Sequence, residues 1–231
     1  MSEGLSEQTL EKQRDNLQLL NQVMRHDIRN DLQLIGAYAE LLEDHVDEAG
    51  REYLEIIKEN TENAVDLTTA VRDLSQVMLG GDIEKRAVSL APKLHQQLEE
   101  IRSGYPKAVL TVEETVPDVD VVGNDMLGSV FRNVLQNAIQ HNDKAPPEVV
   151  VSTVKRDESI EIRVADNGPG IPDAQKNEIF GKGEKGLESS GAGIGLYLVR
   201  SLVEGYGGEV WIEDNEPEGA VFVVDLPLAD S

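Results

Sequence analysis

A histidine next to a carboxylate is the first group in this sequence whose residue types could do chemistry. His26 and Asp27 adjoin, and Asn30 follows one helical turn later on the same face. Asp27 can accept a hydrogen bond from one imidazole nitrogen and leave the other nitrogen as a nucleophile. Asn30 could position a water molecule, and Arg29 could meet phosphate oxygens. The alternative is a solvated surface histidine, with Arg29 as a solvated charge.

A pair of asparagines forms the second group. Asn133 and Asn137 stand four residues apart, so a helix would place both on one face. Asparagine is a mediocre helix former, and two on one face therefore ask for an explanation. An amide oxygen can bind Mg²⁺ while phosphates and waters complete the octahedron. The alternative is a pair of amides on a helix surface.

A carboxylate among glycines forms the third group. Asp166 directly follows a predicted strand and precedes Gly168 and Gly170. A carboxylate at a strand end can accept a hydrogen bond from the exocyclic amine of adenine, and glycines let the backbone approach a ligand closely. An ordinary Asp-Gly turn is the alternative.

A second glycine cluster opens a predicted helix. Gly191, Gly193 and Gly195 would present backbone amides at a helix N-terminus, which suits a phosphate. Dinucleotide-binding folds share this pattern, but there it follows the first strand of a βαβ unit, whereas here it follows a long polar segment. Lys182 and Lys185 lie in that segment, where they either supply positive charge to a phosphate or remain solvated.

Two long amphipathic helices must carry the histidine group. Residues 10–46 and 51–78 place apolar residues at steps of three and four, which is one face of a helix. A turn at 44–50 joins them into an antiparallel hairpin, and a single apolar stripe per helix leaves it little core of its own. We therefore expect a dimeric four-helix bundle, formed by a homodimer through residues 10–78.

The Gly80-Gly81 pair ends the second helix and separates two expected domains, 1–80 and 86–231. Strands alternate with helices in the second domain, which predicts an α/β sandwich with helices packed on one face of a mixed sheet. Asn124 is expected to cap the helix that bears the asparagine pair. The predicted elements are strands at 87–90, 109–113, 149–155, 160–165, 209–213 and 220–226, and helices at 92–101, 124–142 and 193–206.

These groups, taken in chain order, resemble the motifs of sensor histidine kinases. The resemblance covers residues 10–226, and it depends on the order of the motifs more than on any one of them. The matches are the H-box at His26 to Asn30, the N-box at Asn133 to Asn137, the G1 box at Asp166 to Pro172, the F-box at Ile179-Phe180 and the G2 box at Gly191 to Leu196.

The resemblance implies a fold and a reaction. The fold is an all-α helical hairpin followed by an α/β sandwich ATP-binding domain of the Bergerat type. The reaction is autophosphorylation of His26 from ATP, followed by transfer of the phosphoryl group to an aspartate of a response-regulator receiver. The spacing from Asp27 to Asn30 also resembles an element linked to dephosphorylation of that receiver.

The resemblance also implies roles for the other motif residues. Asn137 would be the ligand of Mg²⁺, and Asn133 would contact the phosphates or the metal site nearby. Asp166 would read adenine, and residues 173–190 would form a lid over the bound ATP.

The sequence departs from the family pattern just after the asparagine pair. Gln140, His141 and Asn142 stand where many members carry a basic residue, a tyrosine and a threonine. A cation facing the phosphates is therefore missing. His141 could stack near the nucleotide, and Lys182 and Lys185 could supply the missing charge.

Two other functions fit parts of the pattern. The first is an ATPase or a serine/threonine kinase of the same superfamily, although the histidine group on a helical hairpin argues against it. The second is a catalytically degenerate nucleotide-binding scaffold or a phosphatase-only regulator. The altered residues after Asn137 leave this second function open.

The composition excludes several classes of protein. The 231 residues carry a formal net charge of −23, so nucleic acid is not an expected partner. There is no cysteine, which excludes disulfides and thiolate metal sites. No signal peptide or membrane-spanning run occurs, so we expect a cytoplasmic protein. The spread of acidic residues is typical of proteins from a very salty cytoplasm, such as those of haloarchaea. An ordinary acidic soluble protein is the alternative.

Overall fold

The computed structural model describes residues 28–79, 85–181 and 192–229. The chain divides into two compact units, Met1–Gly80 and Gly81–Ser231. His26 and Asp27 lie outside the described residues. Within the described ranges, no helix combines the length and the apolar character that a membrane span requires.

The first unit contains two helices joined by a tight connection. The elements are α1, described over residues 28–42, a 3-10 turn at Glu43–His45 and α2 at Glu48–Leu79. The Nζ atom of Lys58 lies 2.6 Å from the Oε2 atom of Glu43. Farther from the turn, a side-chain carbon on Gly36 would lie 3.7 Å from the Cγ2 atom of Thr61. The contact nearer the start of α1 pairs with a residue farther along α2, so the two helices run antiparallel.

The turn is shorter than the predicted segment 44–50, because α2 begins at Glu48. The reason is a side-chain cap that the sequence analysis overlooked. The Oδ1 atom of Asp47 accepts a hydrogen bond from the backbone N–H of Gly50 (2.9 Å), and the carbonyl of Asp47 accepts one from Arg51 (3.0 Å). Asp47 therefore satisfies free amides in the first turn of the helix and lets it start earlier.

The second unit is a two-layer sandwich of sheet and helices. Its main sheet has five strands in the order β2-β4-β5-β7-β6, and a separate pair joins β1 to β3. Among the strands that the structure describes, only β2 and β4 pair in parallel, so the main sheet is mixed as predicted. The bounds are β1 Arg86–Ser89, α3 Leu90–Gly104, β2 Val109–Val112, β3 Asp120–Gly123, α4 Leu127–Gln140, β4 Glu148–Lys155, β5 Ser159–Asp166, α5 Asp173–Lys176, a 3-10 turn Glu178–Phe180, α6 Ala192–Tyr206, β6 Glu209–Asp214 and β7 Ala220–Pro227.

Alternation along the strands builds the core of this unit. Ile162 on β5 lies opposite Val224 on β7, and Val164 lies opposite Phe222; all four side chains are buried. Successive residues of a strand point to opposite faces, so this set forms one apolar face. Helices α4 and α6 pack on the sheet and on each other, and α3 packs on α4. The opposite face carries charged residues such as Arg163, whose Nη2 atom lies 2.5 Å from the Oε2 atom of Glu213.

Several details differ from the sequence prediction. Leu90, expected to end a strand, begins α3. Strand β3 at Asp120–Gly123 was not predicted, since this short segment is held extended by distant partners, namely β1 and the residues Leu228 and Ala229. Helix α4 begins at Leu127, so Asn124 is not its N-cap. The Oδ1 atom of Asn124 instead accepts hydrogen bonds from the backbone N–H of Met126 (2.9 Å) and from the hydroxyl of Tyr206 (2.6 Å).

Candidate functional site

Helix α4 presents the two asparagines of the predicted site on one face. The Nδ2 group of Asn133 donates to the carbonyl of Ser129 (2.7 Å), and that of Asn137 donates to the carbonyl of Asn133 (2.6 Å). A backbone carbonyl can accept a hydrogen bond from the amide nitrogen but not from the amide oxygen, so these bonds determine the orientation of each side-chain amide. The Oδ1 atom of each side chain is therefore the atom directed away from its own helix backbone.

The first turns of α6 lie directly against this face. A side-chain carbon on Gly195 would overlap the Oδ1 atom of Asn133, and both residues are buried. Gly195 thus allows the glycine-rich start of α6 to approach the asparagine pair. Asn137 is half-buried, and among the described residues no hydrogen bond involves its Oδ1 atom. An oxygen in this state can serve as a ligand for a hard cation such as Mg²⁺.

The carboxylate of Asp166 lies at the end of β5 and is buried, with 7% of the residue exposed. Its Oδ1 atom accepts hydrogen bonds from the backbone N–H groups of Gly168 (2.9 Å) and Ala220 (3.3 Å). Burial raises the pKa of this carboxyl, and the two backbone donors offset part of the rise. No hydrogen bond to its Oδ2 atom occurs among the described residues, which leaves that atom able to accept one from a ligand.

The turn between β6 and β7 contacts the backbone of Asp166. The Nδ2 group of Asn215 donates to the carbonyl of Asp166 (2.8 Å). Gly219 has φ = +121°, and a side-chain carbon there would overlap the same carbonyl oxygen. The predicted strands at 209–213 and 220–226 imply a turn here, but the sequence analysis missed Asn215 and Gly219 as parts of the site. The only local signal was the glycine that ends the Glu-Pro-Glu-Gly segment.

The end of α4 supplies no cation to the site. Gln140 is exposed, and its Nε2 group donates to the hydroxyl of Tyr105 (2.7 Å). His141 is exposed at the C-terminal end of the helix, yet the protein around its ring desolvates it in part and lowers the pKa of the imidazole. His141 is therefore neutral at pH 7 and does not replace the basic residue that the family pattern carries nearby.

The segment before the glycine-rich helix is fixed at its first end. The Nζ atom of Lys176 lies 2.6 Å from Asp173 and 2.7 Å from Asp214, which connects α5 to the end of β6. Phe180 is buried, and its 3-10 turn packs against α6. The F-box residues Ile179 and Phe180 thus lie beside the helix that opens with the second glycine cluster.

The structure brings together only part of the predicted site. Asn133 and Gly195 meet at the α4–α6 contact, Asn137 lies one turn farther along the same face of α4, and Gly193 belongs to the first turn of α6. Asp166, Gly168 and Gly170 form the turn after β5, in which Gly170 has φ = +73°. Arg29 and Asn30 are exposed on α1 in the first unit. His26, Asp27, Lys182, Lys185 and Gly191 lie outside the described residues.

The second unit is an ATPase domain of the GHKL class. Its mixed five-stranded sheet is packed against two helices, one that bears the asparagine pair and one that begins with the second glycine cluster. Residues 123–230 match the family model described as histidine kinase-, DNA gyrase B- and HSP90-like ATPase. Residues 16–80 match the model of the His kinase A (phospho-acceptor) domain. The chain belongs to the sensor histidine kinases and comprises their catalytic core.

Individual proteins agree with this assignment. The chain is 27% identical to the sensory histidine kinase/phosphatase NtrB of Azospirillum brasilense, over 90% of this chain and 55% of that protein. It is 31% identical to the circadian input-output histidine kinase CikA of Synechococcus elongatus, over 88% of this chain and 29% of that protein. The structure of the mycobacterial sensor histidine kinase MprB superposes with a TM-score of 0.57 and 25% identity, covering 64% of this chain and all of that one. The chain thus spans about half or less of the length of these two curated relatives.

Proposed function

We propose that this chain is the kinase core of a two-component sensor. It binds ATP in the second unit, transfers the γ-phosphoryl group to His26, and passes that group to an aspartate of a response-regulator receiver. The observation that supports ATP binding best is the contact of Asn133 with Gly195, with Asn137 one turn along the same helix face and Asp166 held in a buried turn. The phospho-acceptor domain match over residues 16–80 supports His26 as the acceptor.

Each end of the nucleotide has a matching group. The Oδ2 atom of Asp166 would accept a hydrogen bond from the exocyclic amine of adenine, while the glycines of the turn permit close approach. The start of α6 would present backbone amides to the phosphates. The donor set also fits Mg²⁺: Asn137 offers one amide oxygen, and the described residues hold no cluster of three or more His, Asp or Glu side chains that would form a cage of their own.

The reaction needs little covalent chemistry from the protein. A bound Mg²⁺ would neutralise charge on the β- and γ-phosphates, and the protein would position the γ-phosphorus in line with the imidazole nitrogen of His26. Asp27 would hold the other ring nitrogen and take its proton, which leaves the attacking nitrogen free. Arg29 would meet the phosphate oxygens. Asn30 would position a water molecule for the separate hydrolysis that releases the phosphoryl group as inorganic phosphate.

Exposed apolar side chains on the first unit support a homodimer through residues 10–78. Leu34, Tyr38 and Leu41 recur at steps of four and three on α1, and their exposed fractions are 56%, 65% and 68%. Tyr53 on α2 is 69% exposed. A stripe of this kind is buried when two helical hairpins form a four-helix bundle. The second copy would place two phospho-acceptor histidines in one assembly.

Labelling with γ-labelled ATP tests the proposed kinase directly. The protein with Mg²⁺ in high salt is expected to acquire a label that acid removes and alkali does not, and His26→Gln is expected to abolish it. A label that persists in His26→Gln would exclude His26 as the acceptor. Incubation of the labelled protein with an isolated receiver domain then tests the transfer step.

A catalytically degenerate scaffold or a phosphatase-only regulator is the second candidate. The observation in its favour is the end of α4, where Gln140 donates to Tyr105 and His141 is neutral at pH 7. ATP binding without label, even at high salt, would favour this second function over the kinase. Hydrolysis of acetyl-phosphate-labelled receiver in the presence of the protein would then identify the phosphatase.

A further inference from the structure

Two asparagine side chains connect the end of α4 to the turn that carries Asp166. The Nδ2 group of Asn142 donates to the Oδ1 atom of Asn167 at 2.8 Å. Asn142 lies two residues past the end of α4, and Asn167 directly follows Asp166. Both side chains are half-buried. This hydrogen bond is called the amide bridge below, and it joins the helix of Asn133 and Asn137 to the base-reading turn.

Backbone groups determine the direction of the amide bridge. The N–H of Glu148 donates to the Oδ1 atom of Asn167 (2.9 Å), and the N–H of Lys144 donates to the Oδ1 atom of Asn142 (2.9 Å). Each backbone donor requires an oxygen at that position, so neither amide can rotate by half a turn without losing a bond. Asn142 is therefore the donor of the bridge and Asn167 the acceptor.

The bridge lies directly against the residues that hold the carboxylate. A side-chain carbon on Gly168 would lie 3.4 Å from the Cα and Cγ atoms of Asn142, and 3.0 Å from the Oδ1 atom of Asp166. The N–H of Gly168 also donates to that oxygen. A displacement of Asn142 would therefore move Gly168, and Gly168 would move the carboxylate of Asp166.

We propose that Asn142 is a positioning residue for base recognition. Its amide sets the separation between the phosphate end of the site, on the asparagine face of α4, and the base end, at Asp166. One ATP molecule has to satisfy both ends at once, so a change in that separation weakens the contact with the base. The inference rests on the proposed nucleotide-binding function. It also assigns a role to one of the three positions at which the sequence departs from the family pattern.

Two substitutions break the bridge in different ways. Asn142→Asp keeps the shape and the acceptor for Lys144 but places an oxygen against the Oδ1 atom of Asn167. Asn142→Ser adds no charge, and its hydroxyl can still accept from Lys144, while it is too short to reach Asn167. Lys144→Gln is the matched control, because it makes the same change in net charge as Asn142→Asp and breaks only exposed ion pairs with Asp143 and Glu218.

The measurements are the affinities of the full chain for AMPPNP and for GMPPNP by calorimetry, with the melting temperature of each protein without nucleotide. Guanine has a carbonyl where adenine has its amine, so only AMPPNP depends on the carboxylate contact. In both Asn142 variants the affinity for AMPPNP is expected to fall about fivefold, the value of one hydrogen bond. The preference for AMPPNP over GMPPNP is expected to fall by a similar factor, whereas Lys144→Gln keeps both affinities within about twofold.

Three outcomes separate the possible explanations. An equal loss for both nucleotides would overturn the positioning role and indicate a general structural effect. Unchanged affinities in a folded Asn142→Ser protein would overturn it as well, while the proposed function would stand because the wild type still binds AMPPNP. If the wild type itself binds neither nucleotide, the proposed function fails together with this inference. Should Asn142→Asp not fold, Asn142→Ser decides.

Discussion

Replacement of Gly195 by alanine tests the contact on which the proposed phosphate end of the site depends. A methyl carbon at this position would lie well inside 3.0 Å of the Oδ1 atom of Asn133 and 3.4 Å from its Cγ atom. Asn133 has little room to yield, since it is 8% exposed and its Nδ2 group is bonded to Ser129. Either the asparagine amide or the start of α6 has to move by at least about half an ångström.

Two opposing effects determine the expected change in the free energy of unfolding of Gly195→Ala. Alanine is favoured over glycine within a helix by about 1 kcal/mol. Overpacking of a filled contact costs about 1–3 kcal/mol, which includes the loss of the Asn133 hydrogen bond. Gly195→Ala is therefore expected to change stability by between about 0 and −2 kcal/mol, while the affinity for ATP with Mg²⁺ falls about tenfold or more.

Gly128→Ala is the matched control for this prediction. It makes the same substitution inside α4, where the new carbon would lie 3.6 Å from Gln97, an ordinary contact. It is expected to raise stability by about 0.5–1 kcal/mol and to leave ATP affinity unchanged. Urea unfolding and calorimetry with AMPPNP compare the two variants. If Gly195→Ala resembles Gly128→Ala in both measurements, the argument from the Asn133 contact is wrong.

Three further predictions address other parts of the molecule. Asp166→Asn is expected to abolish measurable ATP binding and to raise stability at pH 7. Burial raises the pKa of Asp166, so the folded protein loses stability as the pH rises from the ordinary carboxyl pKa through the raised one. The amide of Asn does not ionise, so the variant does not lose this stability. If the variant is still more stable than the wild type below this pH window, burial of the charge is not the cause. Leu41→Lys is expected to convert the dimer to monomer in sedimentation at micromolar concentration, whereas Glu40→Gln, at an exposed neighbour, leaves it dimeric; a dimeric Leu41→Lys protein would exclude this face of α1 from the interface. The net charge of −23 predicts that the melting temperature rises between 0.1 M and 2 M KCl, because the Debye screening length falls from about 10 Å to under about 3 Å. Uncharged sucrose of equal osmolarity is expected to raise the melting temperature less. Equal effects of salt and sucrose would show that repulsion between the acidic residues is unimportant.

Local spacing carried most of what the sequence predicted correctly. The steps of three and four in the first unit predict two helices, and the alternation in 149–155 and 160–165 predicts two strands. Asn133 and Asn137 share a helix face because helix geometry alone places residues four apart on one side. Each of these features is visible in the spacing of neighbouring residues, which is why the sequence alone predicted it.

Only the tertiary structure decided how the motifs meet. Strand β3 is held by β1 and by Leu228 and Ala229, and Asn124 accepts a hydrogen bond from Tyr206, 82 residues away, in addition to the one from Met126. The carbonyl of Asp166 bonds Asn215 across 49 residues, and Asn142 bonds Asn167 across 25. Spacing in the sequence has no bearing on such contacts, because each depends on how strands and helices pack against one another. The sequence determined which motif groups the proposed site contains. Packing determined which atom of each group is left open to a ligand and brought in supporting residues such as Asn215.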